Sequence, residues 1–315
     1  MYRGILMRIS QAVPVLLIFS VMVFMLMHLL PGDPALAIAG SEASPEAVEA
    51  IRQQLGLNRP LPVQLFEWFA HLAVGNFGES LTLKQSVVSA VVERLPVTLS
   101  LSMVSLVVTL PLGIGMGVMA AYWRNSWIDA SVMVAALLGV SLPGFWVGLL
   151  SVLFFSVNLG WFPPTGYVPL AEGGLWPWFA SLVQPAVVLA LFQIGFLARI
   201  TRSAMLDVLD QDFIRTARAK GVDEWTTIAK HAFRNTLIPV VTVLGITLSL
   251  LIGGSVVIEQ VFALPGIGRL VVQGILNRDY PLVQGTMLLF GFAFVVINIM
   301  VDIIYTFVDP RVRYG

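Results

Sequence analysis

Cysteine is absent from the 315 residues, which removes disulfide frameworks, thiol-linked lipid anchors and thiolate metal sites. Charge is scarce too: 11% of residues are Asp, Glu, Lys or Arg, against about 25% in an ordinary soluble domain. The lysines are Lys84, Lys220 and Lys230, and none follows a glycine, so no loop can cradle phosphate as ATP-hydrolysing chains do. The formal net charge is zero and offers a nucleic acid nothing to bind. Apolar and polar residues do not alternate with period two, which argues against a membrane barrel.

What is present is apolar, 57% of the chain. The charges are clumped and leave charge-free runs at 9–32, 95–123, 130–171, 173–198, 235–258 and 280–301. Each exceeds the roughly 20 residues a helix needs to cross the hydrocarbon core, and a helix satisfies its own backbone there. The second part of the longest run, "NLGWFPPTGYVPLA", is too rich in proline and glycine to stay helical in lipid. The expectation is therefore an all-α membrane protein with six transmembrane helices, at about 9–30, 97–121, 130–157, 179–199, 237–258 and 285–308. Twelve of the eighteen Lys and Arg then fall on one side, which places both termini in the cytoplasm. Arg3 and Arg8 before an apolar stretch imitate a signal peptide. The stretch exceeds the usual length of about 7 to 15 residues and runs into Pro31, Asp33 and Pro34, so an uncleaved first span is expected.

The domain organisation that follows is a first transmembrane helix with its cytoplasmic N-terminus (1–30), a helical insertion on the outer face (31–95), a five-helix core (96–308) and a cytoplasmic tail (309–315). In the insertion, "SPEAVEAIRQQLG" has Ser44 to cap, Pro45 at the first helical position, Glu46 at the positive end of the dipole and Gly56 to stop the helix.

Between the fourth and fifth runs lies a polar segment, "FIRTARAKGVDEWTTIAKHAFRNTLIP". Positions spaced by four from Met205 to Phe233, through Leu209, Phe213, Ala217, Gly221, Trp225 and Ala229, form an apolar stripe. Gly221 followed by Val222 and Asp223 reads as a helix stop and a new N-cap, so two amphipathic helices hinged at Gly221 are expected. The acids Asp207, Asp210, Asp212, Asp223 and Glu224 nearly cancel the bases, which suits a protein partner better than anionic headgroups.

"RTARAKG" followed by "HAFRNTLIP" resembles the EAA loop of permease subunits in ATP-binding-cassette importers, in the version of the dipeptide, oligopeptide, glutathione and nickel group. "MHLLPGDP", "EQVFALPGIGRL" with "RDYPLVQG", and "VDIIYTFVDPRVR" carry the same resemblance from one end of the chain to the other. The resemblance implies that the segment at about 203–236 holds the coupling helix that docks into a cytoplasmic ATPase. Arg215, Thr216, Ala217 and Gly221 occupy the motif's Glu, Ala, Ala and Gly places, with Val222, Asp223 and Trp225 beside them. Arg215 and Thr216 depart from the general pattern, and Arg234 stands where a proline is expected.

The resemblance also implies the assembly: a second, homologous permease subunit in a heterodimer, two ATPase subunits that bind ATP and magnesium, and a periplasmic or lipid-anchored substrate-binding protein, in a bacterial inner membrane. The chain itself would carry no catalytic residue, metal or cofactor. Its cargo would be di- or oligopeptides or glutathione, with a nickel chelate or another small solute as the alternative. An ion-coupled secondary transporter would want carboxylates deep in the spans and inverted repeats, neither of which the sequence has. An intramembrane protease would want a metal-ligand pair or catalytic dyad there.

Further motifs bear on packing and passage. "GIGMG" at 113–117 imitates a dinucleotide loop but lies in an apolar span, where Gly113 and Gly117 make a face for close helix packing. Met22, Met25, Met27 and His28 could in principle meet a soft cation, although methionine in a span is ordinarily packing. "SLPGFW" breaks the third span at Pro143 and Gly144, tolerable only against protein or a water-filled cavity. Those two residues, with Gly253 and Gly254 of "LIGGS", are the translocation-pathway candidates, simple bundle packing being the other reading. Asp129 and Asp302, near span ends, read as helix-packing acids, and Asn298, Asp302 and Tyr305 share one helix face.

Overall fold

The computed structural model describes residues 2–29, 33–39, 43–54 and 56–308. The turn at Pro31 and Gly32, the tail at 309–315 and the side chains of Asp302 and Tyr305 lie outside the described residues. Among those described, every regular element is a helix, and the one β contact is an isolated bridge between Glu79 and Ser86. The helices are α1 (Tyr2–Leu29), α2 (Pro34–Ala39), α3 (Pro45–Gln54), α4 (Leu61–Ala73), α5 (Val87–Tyr122), α6 (Trp127–Ser141), α7 (Gly144–Ser151), α8 (Leu170–Gly173), α9 (Leu175–Leu209), α10 (Asp212–Ala219), α11 (Glu224–Thr226), α12 (Phe233–Val261), α13 (Ile267–Leu276) and α14 (Tyr280–Val308). A π-helical segment, Val152–Asn158, continues α7, and another, Thr227–Ala232, joins α11 to α12.

Within the described residues α1, α5, α9 and α14 are long and apolar enough to cross a membrane, and α6 with α7, bent by 98° at the break between them, is apolar enough for a broken span or a re-entrant loop. α12 adds 29 helical residues, about 43 Å at 1.5 Å per residue. The second long helix begins at Val87, ahead of the charge-free run, because Ser86 offers its hydroxyl to the Ser89 N–H (3.2 Å). Glu93 and Arg94 therefore lie inside a helix that a charge-free window excludes.

The chain forms two compact units, Met1–Pro96 with Gly266–Val296, and Val97–Pro265 with Ile297–Gly315. In the first, α4 leans on α1 through Trp68 and Phe24, with ring centroids 5.5 Å apart, and Gly291 of α14 lies against the Phe19 ring of α1. Val87, Ala90 and Val91 pack with Ile267, Leu270 and Leu282. Asp279, fully buried at the start of α14, accepts hydrogen bonds from the Ser80 hydroxyl (2.6 Å), the Thr82 N–H (2.9 Å) and hydroxyl (2.7 Å) and the Leu282 N–H (3.2 Å). Arg52 ties α3 to Asp33, whose carboxylate also caps α2 through the Ala35 N–H. Burial pushes Asp33 up, but the Arg52 guanidinium and the Ala35 N–H outweigh it and hold the carboxyl below the usual range.

The second unit is built round α9, which packs against both α6 and α12. Glycines set the spacing. A Cβ on Gly117 of α5 would come within 2.6 Å of the Ala198 carbonyl, one on Gly113 within 2.9 Å of Leu197, and one on Gly195 of α9 within 2.3 Å of the Ala136 carbonyl of α6. The pair of small residues in "GIGMG" is thus a contact face for α9.

Candidate functional site

Two features of the second unit concern the predicted site residues: an elbow in the polar segment and an uncharged cavity. The elbow comes first in the chain of cause. α10 ends at Ala219, and Gly221 takes the left-handed conformation, φ +79°. Its N–H donates to the Arg218 carbonyl (3.0 Å) and the Val222 N–H to the Ala217 carbonyl (3.2 Å), the pair of bonds that closes a Schellman cap. Asp223 then caps α11, its carboxylate accepting the Thr226 N–H at 2.8 Å, and that bond holds the carboxyl below its ordinary range. Arg218 clasps Glu224 across the turn through two bonds of 3.1 and 2.6 Å, and the carboxylate raises the guanidinium further. The expected hinge is thus a braced corner: a helix stop, a new cap and a bidentate ion pair fix its angle.

The stripe predicted from Met205 to Phe233 is not continuous. Breaks at Asp210–Gln211 and Lys220–Asp223 each reset the helical phase, so spacing by four does not carry across them. Ile214 and Ile228 are buried instead, against Ala121 of α5, Met205 of α9 and Ala232. Phe213 and Trp225, the latter 77% exposed, face outward together with Arg215, Thr216 and Lys220, while Ala217 and Val222 are half-buried. Among the described residues Arg215 has only the exposed Asp212 within ion-pair range, at 3.6 Å. The elbow is therefore anchored by two isoleucines and presents a mixed polar and aromatic face.

Beside it, the α5–α6 turn is tied to α9. Ser126 caps α6 through the Asp129 N–H (3.4 Å). Asp129 accepts the Asn125 N–H (3.1 Å) and two bonds of 2.6 Å from Arg202. The sequence suggested a basic partner or packing bond for Asp129. Which base it was, 73 positions away, carried no local signal.

The cavity, about 520 Å³, lies where α6 breaks into α7 and where both meet α9 and α12. Pro143, Gly144, Gly253 and Gly254 all line it, from two stretches of chain more than a hundred residues apart. Its wall is otherwise apolar, with Leu142, Phe145, Val188, Leu189, Phe192, Val257 and Ile258, and no described residue brings a charged side chain to it. Among the described residues Gln193 is its one side chain with an amide, a residue that sequence reasoning missed because an isolated glutamine in an apolar run has no spacing partner. Met22, Met25, Met27 and His28 do not converge: Met22 is exposed, Met27 is buried, and His28 meets the Phe24 carbonyl (2.9 Å) and Gln64 Oε1 (3.1 Å).

Residues 113–314 match the family described as binding-protein-dependent transport system inner membrane component, and residues 1–102 match the N-terminal region of such membrane components. The chain belongs to this family. It is an inner-membrane permease of the ATP-binding-cassette importer class, a multi-pass protein whose work is translocation. One relative, from Brucella abortus (strain 2308), is 60% identical over 98% of both chains, and its name places it as the permease protein of a peptide transport system. Another is the glutathione transport system permease protein GsiC of Salmonella choleraesuis, 42% identical over the full length of both chains. In fold, the permease is similar to a chain of the inward-facing MetNI methionine ABC transporter, with a TM-score of 0.56 and 21% identity over 69% of this chain and 95% of that one.

Proposed function

We propose that this permease forms half of the pathway of an ATP-driven importer that carries di- or oligopeptides, or glutathione, across the bacterial inner membrane. Its six spans leave both termini in the cytoplasm, a homologous permease completes the pathway, and an external binding protein delivers cargo. Two ATPase subunits bind ATP and magnesium, and one docks on the elbow through Arg215, Thr216, Ala217, Val222, Asp223 and Trp225. The observation that carries this reading is continuity. The π-helical segment after the elbow leads into α12, and the same helix carries Gly253 and Gly254, about 30 Å on at 1.5 Å per residue, to the cavity wall.

Force applied at the elbow then reaches the cavity along the π-helical segment and α12, and the braced corner at Gly221 is what resists. ATP binding in the partners acts by favouring one arrangement of that corner over another, which is the only way a distant ligand can shift the equilibrium. The test is made on the whole transporter in proteoliposomes, with ATP hydrolysis and cargo uptake read together. Gly221→Pro and Ala217→Arg are expected to leave hydrolysis in place while uptake falls at least about tenfold, the population shift that 1.4 kcal/mol of lost coupling produces. Normal uptake in both variants would remove the elbow from the coupling route. Uptake that persists without ATP and collapses with an ionophore would replace the whole reading by an ion-coupled one.

A further inference from the structure

A second cavity, about 240 Å³, belongs wholly to the first compact unit. The insertion between α1 and α5 lines it from Gly56 to Leu81, with Phe24 and His28 of α1 and Tyr280, Pro281 and Gln284 of α14. These parts are held together: His28 meets Gln64 Oε1 at 3.1 Å, the Trp68 and Phe24 ring centroids lie 5.5 Å apart, and a Cβ on Gly78 would come within 3.1 Å of Pro281. Gln284 is only 6% exposed, and its amide has no hydrogen-bond partner among the described residues. Sealed hydroxyls such as those of Thr109 and Thr247 are unpartnered too, but no ligand can reach them. The Gln284 Oε1 and Nε2 are not sealed: each keeps accessible surface on a residue that lines the cavity. The Tyr280 hydroxyl and the Trp68 indole N–H, on the same wall, likewise lack partners among the described residues.

An acceptor beside a donor is the complement of a peptide group, which carries one N–H and one C=O. Such a group can displace water from the amide because it repeats both bonds. An ion has less to gain: no described lysine or arginine lines the cavity, and the one carboxylate there, Glu67, is engaged by Arg59. The rest of the wall, with Phe24, Leu57, Phe77 and Leu81, suits an apolar side chain. The volume lies below the roughly 300 Å³ at which sites for whole small molecules begin, so the occupant is part of something larger. The passage candidates belong to the other unit, which leaves this cavity to a partner rather than to cargo. On the topology proposed above it opens on the outer side, from which the binding protein comes, and residues 1–102 match a region separate from the transport component at 113–314. We propose that the cavity is an anchor for the external binding protein: Gln284 pairs with one peptide group of a surface loop while the aromatic wall takes that residue's apolar side chain. The proposal rests on the importer reading and adds the place and chemistry of one contact.

The experiment uses the whole transporter in nanodiscs, titrated with the binding protein of the same transport system, and reads ATP hydrolysis. N-acetyl-leucinamide, an uncharged amide with an apolar side chain, is the competing probe; leucine, a zwitterion with the same side chain, is its control. In the wild type, N-acetyl-leucinamide is expected to raise the binding-protein concentration that gives half-maximal stimulation, and leucine is expected to leave it unchanged. Gln284→Leu is expected to raise that concentration about tenfold, the factor that two modest hydrogen bonds supply, with basal and maximal hydrolysis and the melting temperature maintained. In that variant the probe is expected to have no further effect. An unchanged half-maximal concentration in Gln284→Leu, or leucine competing as well as N-acetyl-leucinamide, would overturn the anchor. So would normal stimulation in Gln284→Leu together with a raised KM for cargo uptake, which assigns the cavity to cargo. Because competition is read in the wild type, its absence there overturns the anchor even if Gln284→Leu melts early. A wild type that the binding protein does not stimulate defeats the importer reading itself, and this proposal with it.

Discussion

A Cβ added at Gly253 would meet nothing within 4 Å, whereas one at Gly254 would approach Leu189 Cδ1 at 3.3 Å. Glycine inside a helix is less stable than a good helix former by about 1 kcal/mol, so open space at position 253 is kept against the local preference of the chain. Gly253→Leu is accordingly expected to hold or raise the melting temperature while it projects a side chain into the cavity and lowers cargo uptake severalfold. Thermal unfolding and uptake measured on the same preparation check this, and unchanged uptake would take Gly253 off the path. The sequence made the glycine pair visible through "LIGGS", but could not say which of the two faces a neighbour and which faces space. That difference depends on Leu189, contributed by another helix.

Among the helices, α9 organises the second unit, and the bond that fixes its polar end is the Asp129–Arg202 pair. Asp129 is 5% exposed, so its partner's charge is compensated in a partly buried place rather than at a screened surface. Asp129→Ala is expected to cost about 3 to 5 kcal/mol because Arg202 is left uncompensated and the Asn125 N–H loses its acceptor. The Arg202→Met, Asp129→Leu double variant is expected to recover most of that loss, which denaturation in detergent would register; a double variant as unstable as the single would assign the cost to packing instead. At this scale the sequence was legible wherever a signal is local. Ser44, Pro45 and Gly56 bound α3 as read, and Ser126 and Asp223 cap their helices. The apolar stripe failed for the converse reason: counting by four assumes an unbroken helix, and the two breaks turned Ile214 and Ile228 inward in place of Phe213 and Trp225.

For the molecule as a whole, membrane character followed from where charge is missing, and family membership from motifs spread over the length of the chain. What no single stretch could disclose is that α12 joins the elbow to the cavity, because its two ends are recognised by unrelated patterns. One feature of that second unit reaches beyond transport. The 98° bend between α6 and α7 leaves Pro143 and Gly144 exposed between two apolar helices, and irregular backbone at membrane depth persists only against protein or water. Made without the second permease proposed above, the chain would therefore present to lipid a defect that cellular quality control can recognise. Pulse-chase labelling is expected to show the lone chain degraded within minutes and stabilised on co-production of a second permease, so that the proposed passage would also enforce correct stoichiometry.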